Sequence, residues 1–398
     1  MSSNPQVVPR RRTALFPRPM LLAVLFAILL SMLLADLLPR YAPGLLRFEH
    51  AMADWRTGVF SDRLPSQHPR VAVVGINDQA LSEFKTRIPI DRGLLAKIIE
   101  AVDAAGAKVI GIDILFTRLA PGDHEQELIE AIRRAKAKVV LGAGDERIGL
   151  TPQEAEFQKA FLAQAGRPAG YVNLATERDW VVRFKAQAAE NGAFQKSFAE
   201  LLAESAGANL GKERRRIAWL LTPSDDSDTF QTVTAGTLLG GADDPIARAA
   251  RAGLKDKVVI IGGLFPDIDQ HLTPLSAQDN GRMPGAMIHA NIAAELLDGR
   301  SIVQVEGDSW VLRLELVVLA GLGFLIGWRY RLRRQGLLLG SIATAAIVAL
   351  DTLVFWQFRI ILPIVLALLA WFLGEFSGVN IGRWLGHSGY DRKAWFFR

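Results

Sequence analysis

The sequence predicts an α/β extracytoplasmic domain with a mostly parallel sheet, attached to four transmembrane α-helices, one N-terminal and three C-terminal. Three observations predict this class: four long apolar stretches, arginine clusters that flank them, and β-branched runs that alternate with helix-period patterns between the first two stretches. The chain has 398 residues, of which 50% are hydrophobic and 22% are charged, so its composition excludes a disordered or collagen-like protein.

Cysteine usage and short motifs exclude several kinds of chemistry. The chain has no cysteine, which excludes disulfide bonds, thiolate catalysis and cysteine-ligated zinc or iron–sulfur sites. It also lacks a G-x-x-x-x-G-K-[ST] phosphate loop, a strand-linked G-x-G-x-x-G, an H-E-x-x-H metal motif and a G-x-S-x-G nucleophile elbow. We therefore expect no cofactor and no catalytic residue, and leave open whether a metal binds.

Four apolar stretches are long enough to be membrane spans. The first covers residues 20–38. Its length and the lack of a clear A-x-A cleavage site directly after it favour an uncleaved anchor over a signal peptide. The other three cover residues 310–328, 336–356 and 360–376, and only a short turn separates the last two. Between the first and second stretches, residues 39–309 form one large block.

Arginines assign these segments to sides of the membrane. Four arginines lie in the first 19 residues, four lie in the RYRLRRQ hinge at 329–335, and the tail at 377–398 is also basic. The positive-inside rule places all three segments in the cytoplasm of a bacterial inner membrane, with residues 39–309 in the periplasm or outside the cell. These segments account for the net charge of +5 and leave the large domain mildly acidic. We therefore expect a lipid bilayer, and no nucleic acid, as a partner.

The large domain alternates predicted strands and helices. Continuous apolar runs with β-branched residues are typical of strands buried on both faces, and they occur at residues 71–76, 107–113, 137–141 and 257–261. Helical spacing of apolar residues occurs at 94–102, 128–132, 194–202 and 284–298. The middle, residues 145–255, is less regular and is read as an insertion or second lobe, with short strands at 171–174 and 217–221.

Polar side chains follow several predicted strands, at the edge where open α/β sheets bind ligands. The candidate ligand-binding residues are Asn77, Asp78, Asp113, Asp267, Asp269 and His271. In an extended segment, the last three share one face, and two carboxylates with an imidazole suit a divalent ion or a cationic ligand. The alternative is turn and helix-capping chemistry, in which Asp and Asn bond nearby backbone amides.

Three further features concern packing. Gly323 and Gly327 lie in the second apolar stretch, and Gly336 and Gly340 open the third, at the four-residue spacing that lets membrane helices approach closely. These four glycines are candidate packing positions. His289 shares a helical face with apolar residues and is expected to be a packing residue. Asp54 and Arg56, just after the anchor, are expected to form structural ion pairs.

Several segments, taken in order over residues 45–305, resemble the type-two CHASE domain, a cyclase- and histidine-kinase-associated sensory domain of bacterial membrane receptors. They are DWR at 54–56, VAVVGINDQAL at 71–81, IPIDRGLLAKIIEAVDAAGAKVIGIDILF at 88–116, GYVNLATERDWVVRF at 170–184, LKDKVVIIGGLFPDIDQHLTPLS at 254–276 and MPGAMIHANIAAELLDGR at 283–300. The family layout of one N-terminal span, a sensory domain and about three further spans also matches this chain.

The resemblance implies an extracytoplasmic sensory role. Family members commonly continue into a cyclase or kinase output domain, but only about 22 residues follow the last span here. We therefore expect a stand-alone sensory subunit, or else a truncated chain. A stand-alone subunit that detects a small ligand would signal through a membrane or cytoplasmic partner protein or a second copy of itself. The alternatives are a non-catalytic structural or assembly subunit of a membrane complex, and an extracytoplasmic enzyme, which the missing nucleophile–base signatures disfavour.

Overall fold

The computed structural model describes residues 18–84, 86–211, 215–224, 226–276, 281–305, 309–330 and 334–387. The first 17 residues, the hinge residues 331–333 and the tail from residue 388 lie outside the described residues, and so do the predictions that fall on them. The chain divides into two compact units, an α/β unit over Asp54–Val303 and a helical unit formed by the flanking residues.

The helices are, in chain order, α1 (Arg18–Tyr41), α2 (Pro43–Phe60), α3 (Arg92–Ala104), α4 (Glu125–Arg134), α5 (Pro152–Ala165), α6 (Phe198–Ser205), α7 (Ala235–Leu238), α8 (Pro245–Ala252), α9 (Gly285–Asp298), α10 (Trp310–Tyr330), α11 (Arg334–Phe358) and α12 (Ile364–His387). The strands are β1 (Asp62–Arg63), β2 (Val71–Ile76), β3 (Val109–Asp113), β4 (Lys138–Ala143), β5 (Ala169–Tyr171), β6 (Leu174–Thr176), β7 (Val182–Lys185), β8 (Leu220–Leu221), β9 (Gln231–Thr234), β10 (Val258–Gly263), β11 (Gln270–His271), β12 (Met283–Pro284), β13 (Val303–Gln304) and β14 (Ile360–Ile361). A 3-10 turn covers Glu146–Ile148.

A six-stranded parallel sheet forms the centre of the α/β unit, in the order β5-β4-β3-β10-β2-β9. The prediction of a mixed α/β domain with a mostly parallel sheet is therefore confirmed. Among the six strands of this sheet, β10 comes last in the chain, but it lies between β2 and β3. Its Gly262 is paired with Gly75 on one side and with Asp113 on the other. The ends of β3 and β10 are thereby aligned at one edge of the sheet.

Both faces of this sheet are covered, which explains why its strands are apolar without alternation. Every residue of β2 is buried. Val74 and Ile76 pack into a cluster with the apolar face of α3, whereas Val71 and Val73 pack into a second cluster with α6 and α9. The sheet is thus a middle layer between two sets of helices.

The region 145–255 is more regular than we predicted. It contains α5, whose N-terminus is defined by a capping box between Thr151 and Glu154 and by Pro152 in the first turn. It also contains α8 and the edge strand β9, in which only Val233 is buried. An edge strand with one buried residue has no continuous apolar run, and for that reason our pattern search missed it.

The helical unit contains three helices that are long and apolar enough to cross a membrane, namely α10, α11 and the Ile364–Trp384 part of α12. In α1, the apolar segment found among the described residues is only Val24–Leu34, so four spans are not confirmed. The last span begins later than expected, because residues 360–361 are extended and Ile361 accepts a hydrogen bond from the backbone of Val305 at 3.0 Å. α12 then continues to His387, into the segment that we assigned to a tail.

Glycines allow α10 and α12 to approach backbone to backbone. A Cβ atom at Gly323 or Gly327 would overlap the carbonyl oxygens of Trp371 and Glu375 on α12, respectively. The approach is reciprocal, since Cβ atoms at Gly374 and Gly378 would overlap backbone oxygens of α10. Two of the four predicted packing glycines therefore lie in a helix–helix contact within this chain.

The other two predicted packing glycines lie on α11. A Cβ atom at Gly340 would lie 2.9 Å from a carboxylate oxygen of Glu375, and Gly336 is buried. The neighbour of Gly340 is thus a flexible side chain rather than a backbone, so this contact is less restrictive than the one between α10 and α12.

Replacing Gly323 by Ala should destabilise the helical unit, because the added methyl group overlaps a backbone atom that cannot move alone. We expect a loss of about 1–3 kcal/mol and a lower melting temperature for the full-length protein in detergent. The matched control is Gly321→Ala on the same helix, where the nearest atom to the new Cβ would be Ile28 Cδ1 at 3.9 Å. Equal melting temperatures for the two variants would contradict the close approach.

Candidate functional site

A cavity of about 540 Å³ opens at the carboxyl edge of the parallel sheet. It lies beside the ends of β3 and β10, at Asp113 and Gly263, and its walls include the isoleucines 90, 114, 148 and 268. The polar and charged residues that line it are Arg92, Asp113, Thr117, Arg118, Arg147, Asn173, Thr176, Asp269, His271 and His289. A mostly apolar cavity with a few polar groups, at this edge of an α/β sheet, is a typical small-molecule site.

Asp113 is the last residue of β3, and its side chain is only 9% exposed. Among the described residues it makes no hydrogen bond, and the nearest ionisable partner is Nε2 of His289 at 4.0 Å. A buried carboxyl group without a hydrogen bond is rare, because desolvation is not offset by a partner.

His289 faces the same cavity from α9. This helix begins at Gly285, at the edge where the strands end, so its second turn brings His289 beside Asp113. The imidazole is almost fully buried and packs edge-on against Phe198, with 5.5 Å between ring centroids. Its Nδ1 atom has no hydrogen-bond partner among the described residues.

Asp269 and His271 lie at the more open side of the cavity. The His271 imidazole is hydrogen-bonded to the Asp269 carboxylate at 2.8 Å. Asp269 has a left-handed backbone, with φ of 54°, and its carbonyl oxygen accepts a hydrogen bond from Gly285 at 3.0 Å. A Cβ atom at Gly285 would collide with the Asp269 carboxylate, so the glycine makes room for this turn.

Asp145 is hydrogen-bonded to two of the polar residues that line the cavity, Arg147 and Asn173. It accepts hydrogen bonds from the guanidinium of Arg147 and, at 2.8 Å, from Nδ2 of Asn173. Burial raises the pKa of Asp145, but the hydrogen bonds from Arg147 outweigh it and keep that pKa below its ordinary value. The positive charge of Arg147 is therefore paired with a carboxylate of the protein. The amide oxygen of Asn173 is buried and has no hydrogen-bond partner among the described residues.

Arg92 is likewise compensated. It is the first residue of α3 and is buried, and its Nε donates to Glu125 at 3.2 Å. Its two terminal nitrogens donate to the carbonyl oxygens of Ile90 and Arg118. These bonds fix the guanidinium as part of the cavity wall.

Burial controls the protonation of the two central groups. It raises the pKa of Asp113 to about 8, with a further increase from the negative charge of Asp269. It lowers the pKa of His289 to about 4. In the empty cavity at pH 7, Asp113 is therefore mostly protonated and His289 is neutral.

Five of the six predicted binding residues divide into two groups. Asp113, Asp269 and His271 line the cavity. Asp78 and Asp267 instead form an exposed ion-pair cluster with Arg87, at 2.7 and 2.8 Å. The structure therefore brings three of the six candidates to the cavity and places Asp78 and Asp267 outside it.

The chain does not remain extended between Asp267 and His271, because Asp269 has left-handed backbone dihedrals. The predicted shared face of these three residues is therefore not formed. The Asn77 side chain accepts a hydrogen bond from the backbone of Ala80 at 3.0 Å, which is the turn chemistry that we considered as the alternative. Within the described part of the chain, no group of three or more His, Asp or Glu residues is placed to hold a metal ion.

Sequence reasoning missed Arg92, Arg147 and Asn173, and it assigned His289 to packing alone. For Arg92 and His289, the positions of the helix starts were a signal in the sequence that could have indicated their place. Helices that follow parallel strands begin at the carboxyl edge of the sheet, so the first two turns of α3 and α9 lie at that edge. Arg92 and His289 occupy those turns. No local pattern marks Arg147 or Asn173, because Asp145 brings them together.

Asp113→Asn should remove a pH-dependent loss of stability. The wild-type folded state keeps the Asp113 proton up to about pH 8, whereas the unfolded chain releases it near pH 4, so raising the pH in this window favours unfolding. The unfolding free energy of the wild type should fall relative to the variant, by up to about 1.4 kcal/mol per pH unit. Melting of both full-length proteins in detergent at pH 5, 6, 7 and 8 measures this, and parallel curves would contradict it.

Comparison with known proteins identifies the family of the domain. The sequence matches the family model of the CHASE2 domain over residues 23–328. No curated protein and no solved structure matches the chain. The family match covers more than half of the sequence and includes the whole α/β unit, the cavity and α10 as far as Trp328. The chain therefore belongs to the CHASE2 domain family.

Proposed function

We propose that this protein is a bacterial inner-membrane sensor whose periplasmic CHASE2 domain binds a small ligand and signals through its membrane helices to a separate protein. The cavity at Asp113 carries this proposal. Its volume of about 540 Å³ is in the range of small-molecule sites. Polar atoms of His289 and Asn173 in its wall are buried without a partner among the described residues, and a ligand would satisfy them.

The proposed topology has four spans with both termini in the cytoplasm. Helix α1 has 24 residues, which at 1.5 Å per residue gives about 36 Å, longer than a hydrocarbon core of about 30 Å. Arginines in the first 19 residues and in the hinge at 329–335 favour the cytoplasmic side for both segments. This layout places the α/β unit in the periplasm.

We propose α2 as the element that couples ligand binding to the spans. Its residues up to Ala53 belong to the helical unit, and those from Asp54 onward belong to the α/β unit. The Glu49 carboxylate accepts hydrogen bonds from the first two backbone N–H groups of α12, at 3.1 and 2.7 Å. A carboxylate at this position also complements the helix dipole of the span.

Asp54 fixes the same helix within the α/β unit. Arg183, whose side chain is 2% exposed, donates two hydrogen bonds to the Asp54 carboxylate, at 2.8 and 2.6 Å. The buried Arg216 adds a third contact at 3.4 Å. One helix thus carries polar anchors in both units. A ligand shifts this coupling only if it binds two arrangements of the α/β unit with different affinity.

The proposed output is a separate protein or a second copy of the chain, in contact with the spans. α11 favours this role, because it is the least buried of the three candidate spans and exposes leucines and isoleucines along its length. We propose no catalytic step. In support of this, the hydroxyl groups of Thr117 and Thr176 in the described lining of the cavity make no hydrogen bond to either histidine.

Cysteine labelling tests the topology, because the wild type has no cysteine and gives no background. We expect Lys159→Cys, on the exposed face of α5, to react with a membrane-impermeant maleimide in intact spheroplasts. Gln335→Cys, at the start of α11, should react only after permeabilisation. Labelling of both sites in intact spheroplasts, or of Gln335→Cys alone, would overturn the layout.

Filling the cavity tests ligand binding. Ile148→Trp adds bulk to the cavity wall, whereas Ile246→Trp makes the same change at an exposed position of α8 outside the cavity. We expect native mass spectrometry of the full-length protein from mild detergent to detect a bound small molecule in the wild type and in Ile246→Trp, but not in Ile148→Trp. If none of the three proteins carries a small molecule while all retain the same membrane partner, the protein is an assembly subunit instead.

A further inference from the structure

Two polar groups of the cavity wall offer hydrogen-bond acceptors to a ligand, namely the amide oxygen of Asn173 and the Asp113 carboxyl group once it has lost its proton. Nδ2 of Asn173 must face the Asp145 carboxylate, because the amide oxygen would be repelled there. Oδ1 of Asn173 is consequently the buried atom without a partner among the described residues. The Asp113 carboxyl group, which is 9% exposed, also makes no hydrogen bond among the described residues. A ligand that satisfies these groups must supply hydrogens.

Each nitrogen of the two buried or half-buried wall arginines, Arg147 and Arg92, already donates a hydrogen bond within the protein. Arg147 donates to Asp145 and, at 2.6 Å, to the carbonyl oxygen of Gln187. Arg92 donates to Glu125 and to two carbonyl oxygens. Both positive charges are thus paired with carboxylates of the protein. Arg118 is the remaining cation of the described lining, and it is exposed.

The charge left for a ligand is therefore negative. Asp113 lies at the inner end of the cavity, and the Asp269 carboxylate faces it from the open side. A metal ion does not fit, because the described residues form no group of three or more metal ligands. The isoleucine walls and the volume of about 540 Å³ suit an organic group instead.

We propose that the cavity binds a small organic amine, whose ammonium group pairs with the Asp113 carboxylate while its aliphatic part contacts the isoleucine walls. The amide oxygen of Asn173 accepts a further hydrogen bond from the same ligand. This inference rests on the proposed sensor function and specifies the chemical class of the ligand. A charge-assisted hydrogen bond in a desolvated site is strong, which gives the amine its preference over a neutral analogue.

Three small molecules of similar size test which charge the cavity prefers in its ligand. Full-length wild type in detergent is melted at pH 8 with n-pentylamine, 1-pentanol or pentanoate, which share a carbon chain and differ in charge. We expect n-pentylamine to raise the melting temperature by several degrees, and the alcohol and the acid to have no such effect. Stabilisation by pentanoate that is lost in Arg118→Gln would overturn the proposal in favour of an anionic ligand.

The variants locate the effect. Asp113→Asn keeps the shape of the side chain and should weaken the response to n-pentylamine at least about tenfold in concentration. Asp267→Asn removes a carboxylate that pairs with Arg87 outside the cavity, and it should respond like the wild type. Asn173→Ala, which removes the Oδ1 acceptor together with the Nδ2 donor to Asp145, should respond more weakly than the wild type. An undiminished response in Asp113→Asn would refute the assignment.

The pH dependence gives a second readout. Asp113 must lose its proton to pair with an ammonium group, so the response of the wild type should be larger at pH 9 than at pH 6. A primary alkylamine stays mostly protonated at both values, as lysine does. Asp269, His271 and His289 also face Asp113, but all three remain in Asp113→Asn, which should show little pH dependence.

The two proposals fail separately. If no probe shifts the melting temperature, the amine assignment is wrong. The sensor function is judged instead by the small molecule that is retained in Ile246→Trp and lost in Ile148→Trp. If a small molecule is found there and it is not an amine, only the ligand class is refuted.

Discussion

The insertion of β10 between β2 and β3 is the constraint on which the rest of the α/β unit depends. It pairs strands that are far apart in sequence and sets Gly262 opposite Asp113. The backbone N–H and C=O groups of a buried strand with neighbours on both sides are all hydrogen-bonded to those neighbours. The backbone groups of the residues just beyond its end have no such partners in the sheet. The segment after β10 therefore turns beside the end of β3, and α9 packs back over it. This single pairing brings Asp113, Asp269 and His289 to one cavity.

The cavity separates its charges into two classes. Its arginines are part of the wall, because Asp145 and Glu125 compensate them. Its central carboxyl group, Asp113, has no such partner among the described residues and carries a raised pKa instead. An arrangement of this kind is stable while it is empty, because Asp113 is then neutral. We propose that it becomes a cation site when Asp113 is deprotonated, so that the same group links ligand binding to pH.

In the helical unit, close packing of helix backbones is the main interaction. Apolar side chains contact lipid as readily as they contact each other, so the association of helices in a membrane needs close packing. α10 and α12 achieve it with reciprocal glycine pairs whose backbones touch. The Glu49 carboxylate satisfies two N–H groups at the start of α12, which would otherwise lack acceptors. Backbone contact between helices and a polar cap at the helix start thus hold this unit.

The sequence by itself determined the elements whose signals are local. Continuous apolar runs predicted β2, β3, β4 and β10, and a proline and two glycines bounded α9. Apolar length predicted the three C-terminal spans. Only the tertiary structure decided which polar groups meet. Asp267 and Asp269 are two residues apart, but a left-handed turn sends one to Arg87 and the other to the cavity. Periodicity reports the direction of side chains along one element, whereas a binding site is made by elements that are distant in the chain and joined by strand pairing.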